Sequence, residues 1–113
     1  NELNPLVEVT IHAERLTIDN AATIIGMYDI VADGCDNFAT RFAVNDACVA
    51  HGTPLISAAV RGYEGQVASF IPKAGGPCYR CFVSPDAPDA NTCREAGIVG
   101  PLCGIIGSMQ ALE

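Results

Sequence analysis

The spacing of apolar residues along this chain changes between the period of strands and the period of helices. Residues 6–12 (LVEVTIH) alternate apolar and polar side chains and are rich in β-branched residues, which predicts a strand. The continuous apolar run at residues 55–60 (LISAAV) is typical of a strand buried on both faces. The pattern predicts strands at residues 6–12, 28–32, 55–60 and 65–71.

Two helices are predicted between these strands. Asp19 can cap a short helix that ends at Gly26, and Asp36 or Asn37 can cap a longer helix that ends at Gly52. The predicted apolar face of the longer helix consists of Phe38, Phe42 and Val49, with Ala43, Ala47 and Ala50 nearby. Strands that alternate with helices in this way predict an α/β fold with a parallel core.

The pattern changes after residue 71. A Gly/Pro turn leads to a CxxC sequence, and residues 83–92 are polar and rich in Pro and Asp, which predicts a mobile loop. The Gly-rich tail predicts a last helix from Leu102 that still runs at Glu113. This helix has no stop signal, and a first strand that enters a crossover usually follows an earlier strand–helix unit. We therefore expect a fragment of a larger domain.

Composition limits the classes of function. The chain has 113 residues, of which half are apolar, so it forms at most one domain. Thirteen acidic residues against six basic ones give a net charge of −7, which argues against a nucleic-acid-binding surface. The longest uncharged run, residues 96–112, falls short of the roughly 20 apolar residues that span a bilayer, so we expect no membrane segment.

Six cysteines in a short chain raise the question of a disulfide framework. Cys35, Cys48 and Cys103 lie in apolar, periodic segments, where a free cysteine behaves as a small hydrophobic residue. Disulfide-rich miniproteins have many loops and few apolar residues, unlike this chain. We therefore expect a reducing compartment and a cytoplasmic protein.

Two carboxylates follow the second predicted strand. Asp33 and Asp36 fall where this strand leaves the sheet, the edge at which open α/β sheets bind ligands. A carboxylate there can hold Mg²⁺ together with waters and phosphate oxygens, and the helix that opens at Asn37 offers N–H groups to phosphate. The alternative is that Asp36 or Asn37 serves only as a helix cap.

Cys78 and Cys81 form the CxxC sequence, in the run PCYRC. The spacing suits half of a tetrahedral zinc site, which needs four ligands. The other two ligands cannot be identified from this chain. A redox pair and a turn without any ligand are the alternatives, although a thioredoxin-like pair would stand at a strand-to-helix junction.

Cys93 follows the acidic loop. Thr92 and Glu95 match a capping box, which would place Cys93 in the first turn of a short helix beside Arg94. The helix dipole and the neighbouring cation both favour the thiolate, so Cys93 is a candidate nucleophile. The alternative is an ordinary, partly exposed cysteine.

Taken together, these segments resemble the ThiF/MoeB/HesA family of ubiquitin-activating-like adenylyltransferases. The resemblance spans nearly the whole chain, and the order PCYRC, loop, TCREAG is specific. The matching segments are NP at 4–5, CDN at 35–37 with Arg41, PLIS at 54–57, EGQV at 64–67, PCYRC at 77–81, TCREAG at 92–97 and GIIGSMQA at 104–111.

The resemblance implies a Rossmann-like, mostly parallel sheet with flanking helices. Residues 1–71 would be the second half of the nucleotide-binding sheet, 72–97 a CxxC knuckle with a crossover loop, and 98–113 the start of a C-terminal helix. The family uses ATP and Mg²⁺ to adenylylate the C-terminal glycine of a ubiquitin-like sulfur-carrier protein that ends in Gly-Gly. Sulfur then replaces AMP, and family members are commonly homodimers.

Carried over by position, the resemblance gives roles to five residues. Asp36 and Asn37 match the Mg-ATP site, Cys78 and Cys81 match the first half of the zinc site, and Cys93 matches the loop cysteine that forms a covalent or sulfur-linked intermediate in some members.

The chain departs from the family pattern at both ends. The Gly-rich phosphate loop, the acid for the ribose and the second CxxC are absent from these residues. We therefore expect this polypeptide to be inactive in isolation. The alternative function is a non-catalytic carrier-binding or dimerisation module of the same fold.

Overall fold

The structure, a computed structural model, describes residues 3–84 and 97–113. Its helices and strands in chain order are α1 (Ile18–Ile25), β1 (Val31–Asp33), α2 (Phe38–His51), β2 (Leu55–Arg61), β3 (Glu64–Phe70), a 3₁₀ turn (Pro72–Ala74), α3 (Tyr79–Phe82) and α4 (Gly100–Leu112). In the described residues, no helix is long and apolar enough to cross a membrane.

The three strands form one sheet in the order β1-β2-β3. β1 and β2 are parallel, with Val31 opposite Leu55, and α2 forms the crossover between them. β3 is antiparallel to β2, because only Gly62 and Tyr63 separate the two strands and so short a connection makes a hairpin. The predicted α/β class with flanking helices is confirmed, and β3 joins the parallel pair as a reversed strand.

The strand predicted at residues 6–12 is wrong for this structure. These residues form no strand in the described part of the chain, and Leu6 is 94% exposed. Alternation shows that a segment could bury one face in a sheet, but a strand also needs a hydrogen-bonded partner. Nothing in the described chain pairs with this segment in a ladder.

Local cap signals set the helix ends. Thr17, rather than the predicted Asp19, is the N-cap of α1, because its backbone N–H and the Asn20 side chain complete a capping box. α2 begins after Asn37 and ends at Gly52, which adopts the left-handed conformation at φ +69°.

The core lies between the sheet and helices α1, α2 and α3. Its buried apolar residues are Ala21, Ile25, Ala43, Val44, Ala47, Cys48, Leu55, Phe70 and Tyr79. The predicted apolar face of α2 is partly wrong: Phe42 packs against this core, but Val49 is exposed. The stripe that turns inward instead carries two polar residues, Arg41 and Asn45.

α4 covers the other face of the sheet. Gly65 lies five positions before the core residue Phe70 on β3, so the two point to opposite faces. A side chain at Gly65 would collide with Ile106 of α4. The glycine therefore lets α4 lie close against the sheet, where it borders the site described next.

Candidate functional site

The loop that joins β1 to α2 presents Asp36 to solvent. Asn37 is the N-cap of α2, since its Oδ1 accepts a 2.8 Å hydrogen bond from the Thr40 N–H. Asn37 therefore caps the helix through its Oδ1, as the alternative interpretation of this residue expected. Its Nδ2 donates to Asp36 Oδ1 at 3.3 Å, so the cap also holds the neighbouring carboxylate at the start of the helix.

A pocket with a volume of about 560 Å³ opens beside this carboxylate. We call it the edge pocket. It is bordered by residues 34–37 of the loop, residues 58–61 of β2 and one side of α4, and by Phe38 and Arg41 of α2, Gln66 of β3 and Tyr79 of α3. This volume lies within the range of small-ligand sites. The pocket can therefore take a nucleotide part or an extended peptide beside Asp36.

The segment that contains Cys93 begins and ends at the wall of the edge pocket. Val83 and Ile98 both line it. Gly62 fixes the far end of the segment to the β2–β3 hairpin, since its N–H donates to Gly97 O at 3.1 Å and its carbonyl accepts from the Val99 N–H at 3.2 Å. Cys93 itself, with the short helix predicted around it, lies outside the described residues.

The residues at the edge pocket are suited to hold a magnesium ion that keeps several of its water ligands. Asp36 offers hard carboxylate oxygens in an exposed position, and the N-terminus of the 14-residue helix α2 follows directly. One such carboxylate with waters and phosphate oxygens is a usual coordination set for Mg²⁺. When bound, the ion would neutralise charge on the phosphates of a nucleotide.

A buried hydrogen-bond network lies under the loop. The Arg41 guanidinium reaches Asp33 Oδ2 at 3.5 Å, Ser57 Oγ at 3.2 Å and the Ala58 carbonyl at 2.9 Å, and it also donates to the Cys35 carbonyl. Arg41 matches the family pattern, but its sequence position predicted no role for it. The sequence signal for a buried role was its spacing: Arg41 lies three positions before Val44, on the face of α2 that packs inward.

The cysteines near the pocket differ in environment. Cys35 donates from its thiol to Asp33 Oδ1 at 2.6 Å, and burial, together with this bond and the carboxylate charge, raises its pKa to about 12. Burial raises the pKa of Cys48 to about 11. Both are therefore neutral thiols, as expected for small hydrophobic residues. Cys103 does not fit that expectation, because it is exposed on α4 and lines the edge pocket.

The CxxC turn, residues 77–81, brings two sulfurs together. The Sγ atoms of Cys78 and Cys81 are 3.9 Å apart, close to the edge of a zinc–thiolate tetrahedron, which is about 3.8 Å for 2.3 Å bonds. Burial acts to raise the pKa of Cys78, but N–H groups of Cys81 and Arg80 outweigh it and lower the pKa overall. In the described residues, no group of three or more histidine, cysteine, aspartate or glutamate side chains is placed to hold a metal ion.

α2 holds the CxxC turn. Asn45 Oδ1 accepts a 2.9 Å bond from the Tyr79 N–H. Arg80 makes a two-bond ion pair with Asp46, at 2.7 and 2.6 Å, and its guanidinium lies 4.6 Å from the centre of the Phe42 ring. α2 thus supports Asp36 just before its N-cap and the CxxC turn near its middle.

Comparisons with known proteins agree on one family. The family model described as "ThiF family" matches residues 1–113. The adenylyltransferase and sulfurtransferase MOCS3 of Culex quinquefasciatus is 48% identical over an alignment of 114 residues that covers 99% of this chain and 26% of that protein. The MOCS3 protein of Dictyostelium discoideum is 46% identical over 116 residues, covering all of this chain and 27% of that protein.

A bacterial relative has a shorter chain. The sulfur carrier protein adenylyltransferase of Thermus thermophilus is 47% identical over an alignment of 117 residues that covers 98% of this chain and 43% of that protein. The chain thus spans between about a quarter and less than half of the length of these curated relatives.

Proposed function

The chain belongs to the ThiF family, and on that premise we propose that it is the part of a sulfur-carrier adenylyltransferase that holds magnesium-bound ATP and receives the carrier's tail. The observation that carries the proposal is the position of Asp36. This carboxylate stands on the wall of a pocket that is also lined by both flanks of the Cys93 segment.

The proposed reaction joins two charged groups. The C-terminal carboxylate of the carrier attacks the α-phosphorus of ATP, the bond to the β-phosphate oxygen breaks, and pyrophosphate leaves. Both partners are negative, so the site must neutralise charge and hold them in line. Asp36 would hold the magnesium ion, Asn37 would steady that carboxylate, and the edge pocket would exclude water from the glycine tail.

Replacement of AMP by sulfur is the second step of the proposal. The Cys93 thiolate would attack the acyl carbon of the carrier adenylate, the bond to the phosphate oxygen would break, and AMP would leave. A segment anchored at both edges of the pocket is suited to bring a sulfur to that carbon. This role of Cys93 rests on its place in TCREAG and on the positions of Val83 and Ile98.

Pyrophosphate exchange tests the first step. With the native full-length protein, ATP and a carrier that ends in Gly-Gly, we expect exchange to be lost in Asp36→Ala. It should be retained in Asp29→Ala, which removes another exposed acid, just before β1. Normal exchange in Asp36→Ala would refute the magnesium role. No exchange with the unaltered protein would favour the non-catalytic binding module.

Intact mass of the enzyme tests the second step. We expect an acyl adduct that maps to Cys93 and is missing in Cys93→Ala, while pyrophosphate exchange persists in that variant. An adduct that survives in Cys93→Ala would assign the sulfur step to another residue.

The CxxC turn and the assembly complete the proposal. Cys78 and Cys81 would bind zinc together with two ligands from elsewhere in the native protein, and two copies would form a homodimer. The 3.9 Å sulfur separation supports the zinc assignment. Bound zinc should fall well below one ion per chain in Cys78→Ser, and an unchanged zinc content would exclude the CxxC turn as a ligand.

A further inference from the structure

Arg41 of α2 carries a buried guanidinium with unusual partners. The residue is only 7% exposed, although it lies in the second turn of a surface helix. One terminal nitrogen reaches Asp33 and Ser57, and the other donates to the carbonyls of Cys35 and Ala58. The side chain thus joins the end of β1, the loop before α2 and the strand β2.

Most of these partners are neutral. Asp33 is the carboxylate in the network, and its 3.5 Å separation from the guanidinium is long for a charge-assisted bond. The closer contacts are to the Ala58 and Cys35 carbonyls and the Ser57 hydroxyl. A buried cation is costly unless its donors are satisfied, and here backbone oxygens satisfy much of that need. The planar fork of an arginine makes these contacts together, and lysine cannot.

The Cys35 carbonyl connects Arg41 to Asp36. It belongs to the peptide unit that contains the Asp36 N–H, and this unit is planar. When the guanidinium fixes the carbonyl, it also fixes the direction in which the chain enters Asp36. Asp33 holds the same loop from the other side, since it accepts from the N–H and the thiol of Cys35. The Asn37 cap fixes the chain directly after Asp36.

We propose that Arg41 is a positioning residue that orients the Asp36 carboxylate toward the edge pocket by holding the Cys35–Asp36 peptide unit against β2. This inference rests on the proposed function, because it gives Arg41 a role in the magnesium step. Arg41 also lines the edge pocket, but its proposed effect on Asp36 is exerted through the loop and not by contact with nucleotide or carrier.

The test uses Arg41→Lys in the native full-length protein, with Arg15→Lys as the matched control. Arg15 is exposed before α1, so its replacement keeps the charge and leaves the network intact. The first readout is hydrogen exchange of the amides at residues 34–37, measured without nucleotide or metal. The second is the Mg²⁺ concentration that gives half-maximal pyrophosphate exchange.

We expect faster amide exchange at residues 34–37 in Arg41→Lys and a half-saturating Mg²⁺ concentration raised by about 10- to 100-fold, as is usual when a residue that supports a metal ligand is replaced. Excess Mg²⁺ should restore much of the rate, which a general loss of folded protein would not allow. Arg15→Lys should match the unaltered protein in both readouts. Ser57→Ala, which removes one weaker contact, should shift both in the same direction by less, and it carries the test if Arg41→Lys does not fold.

Unchanged amide exchange at residues 34–37 would overturn the proposal. Faster exchange with an unchanged Mg²⁺ requirement would also overturn it, since the loop would then be held without any effect on Asp36. Failure of the proposed function has a different signature. In that case Asp36→Ala itself would leave pyrophosphate exchange intact.

Discussion

The Gln110 side-chain amide donates a 3.0 Å hydrogen bond to the backbone carbonyl of Asp33, the last residue of β1. The same Nε2 lies 2.8 Å from the carbonyl of Ile56 on β2. One amide of α4 thus bridges the two parallel strands three residues before Asp36. The uncharged C-terminal helix is thereby tied to the edge of the sheet where the site lies.

Replacement of Gln110 by Glu should destabilise the protein more than replacement by Met. Glu removes both donors and places a carboxylate against two carbonyl oxygens, which should lower the free energy of unfolding by about 1–3 kcal/mol. Met keeps the length of the side chain without adding charge. Urea unfolding of the native protein measures both losses, and equal losses would show that repulsion between the new carboxylate and the two carbonyl oxygens contributes little.

Loss of the Asn37 cap should weaken α2. Asn37→Ala leaves the Thr40 N–H without its side-chain acceptor and should cost about 1 kcal/mol of unfolding free energy. Asn37→Ser and Asn37→Asp retain a capping oxygen and should cost much less. If all three variants lost the same stability in chemical unfolding, the hydrogen bond to Thr40 would not be the cause.

The described thiols should react at very different rates. At about pH 8, which is about four units below the Cys35 pKa of about 12, roughly one Cys35 thiol in ten thousand is ionised. The Cys48 thiol is also weakly acidic, and it is buried. Cys78 has a lowered pKa, and Cys81 is exposed. After zinc is chelated, iodoacetamide at about pH 8 should therefore modify Cys78 and Cys81 well before Cys35 and Cys48. Peptide mass mapping gives the order, and early labelling of Cys35 would contradict the buried bond to Asp33.

The ion pair between Arg80 and Asp46 should stabilise the CxxC turn only above acidic pH. Hydrogen bonds from Arg80 hold the pKa of Asp46 below its ordinary value in the folded protein. The stabilisation is therefore fully present above the unfolded pKa of about 3.9 and is lost as the pH falls through the lower folded value. Because both side chains are about 40% exposed, Asp46→Asn should cost less than about 1 kcal/mol near neutral pH.

Unfolding of Asp46→Asn at several pH values checks this prediction. The difference from the unaltered protein should shrink toward zero as the pH falls through the lowered pKa of Asp46 and its carboxylate becomes protonated. A difference that persisted in acid would mean that Asp46 acts through packing or neutral hydrogen bonds.

Local signals predicted some elements well. Asn37 and Gly52 mark the two ends of α2 because a cap and a left-handed glycine are properties of a few neighbouring residues. The apolar run at residues 55–60 also lies within β2, since a strand buried in the middle of a sheet needs apolar side chains on both faces. Asp36 could be placed near the carboxyl end of a strand because it follows the strand predicted at residues 28–32, although the observed β1 is the shorter and later Val31–Asp33.

Contacts between segments that are far apart in the chain were harder to predict from the sequence. Residues 6–12 carry a strand pattern, but the pattern does not supply a partner strand. Arg41 can lie on the inward face of α2 because its guanidinium donates to hydrogen-bond acceptors on β1 and β2. These acceptors lie 8 to 17 residues away in the chain. The two backbone carbonyls that accept hydrogen bonds from Gln110 lie 54 and 77 residues earlier in the chain. Such contacts follow from the packing of whole elements and leave little trace in local sequence.

The most direct test of the account is the mass of the carrier protein after incubation with ATP, Mg²⁺ and the native full-length enzyme. We predict that the carrier gains one adenylyl group at its C-terminal glycine, that Asp36→Ala abolishes this gain, and that Asp29→Ala does not. A carrier adenylylated equally well by Asp36→Ala would contradict the central claim that this carboxylate at the sheet edge serves the activation step.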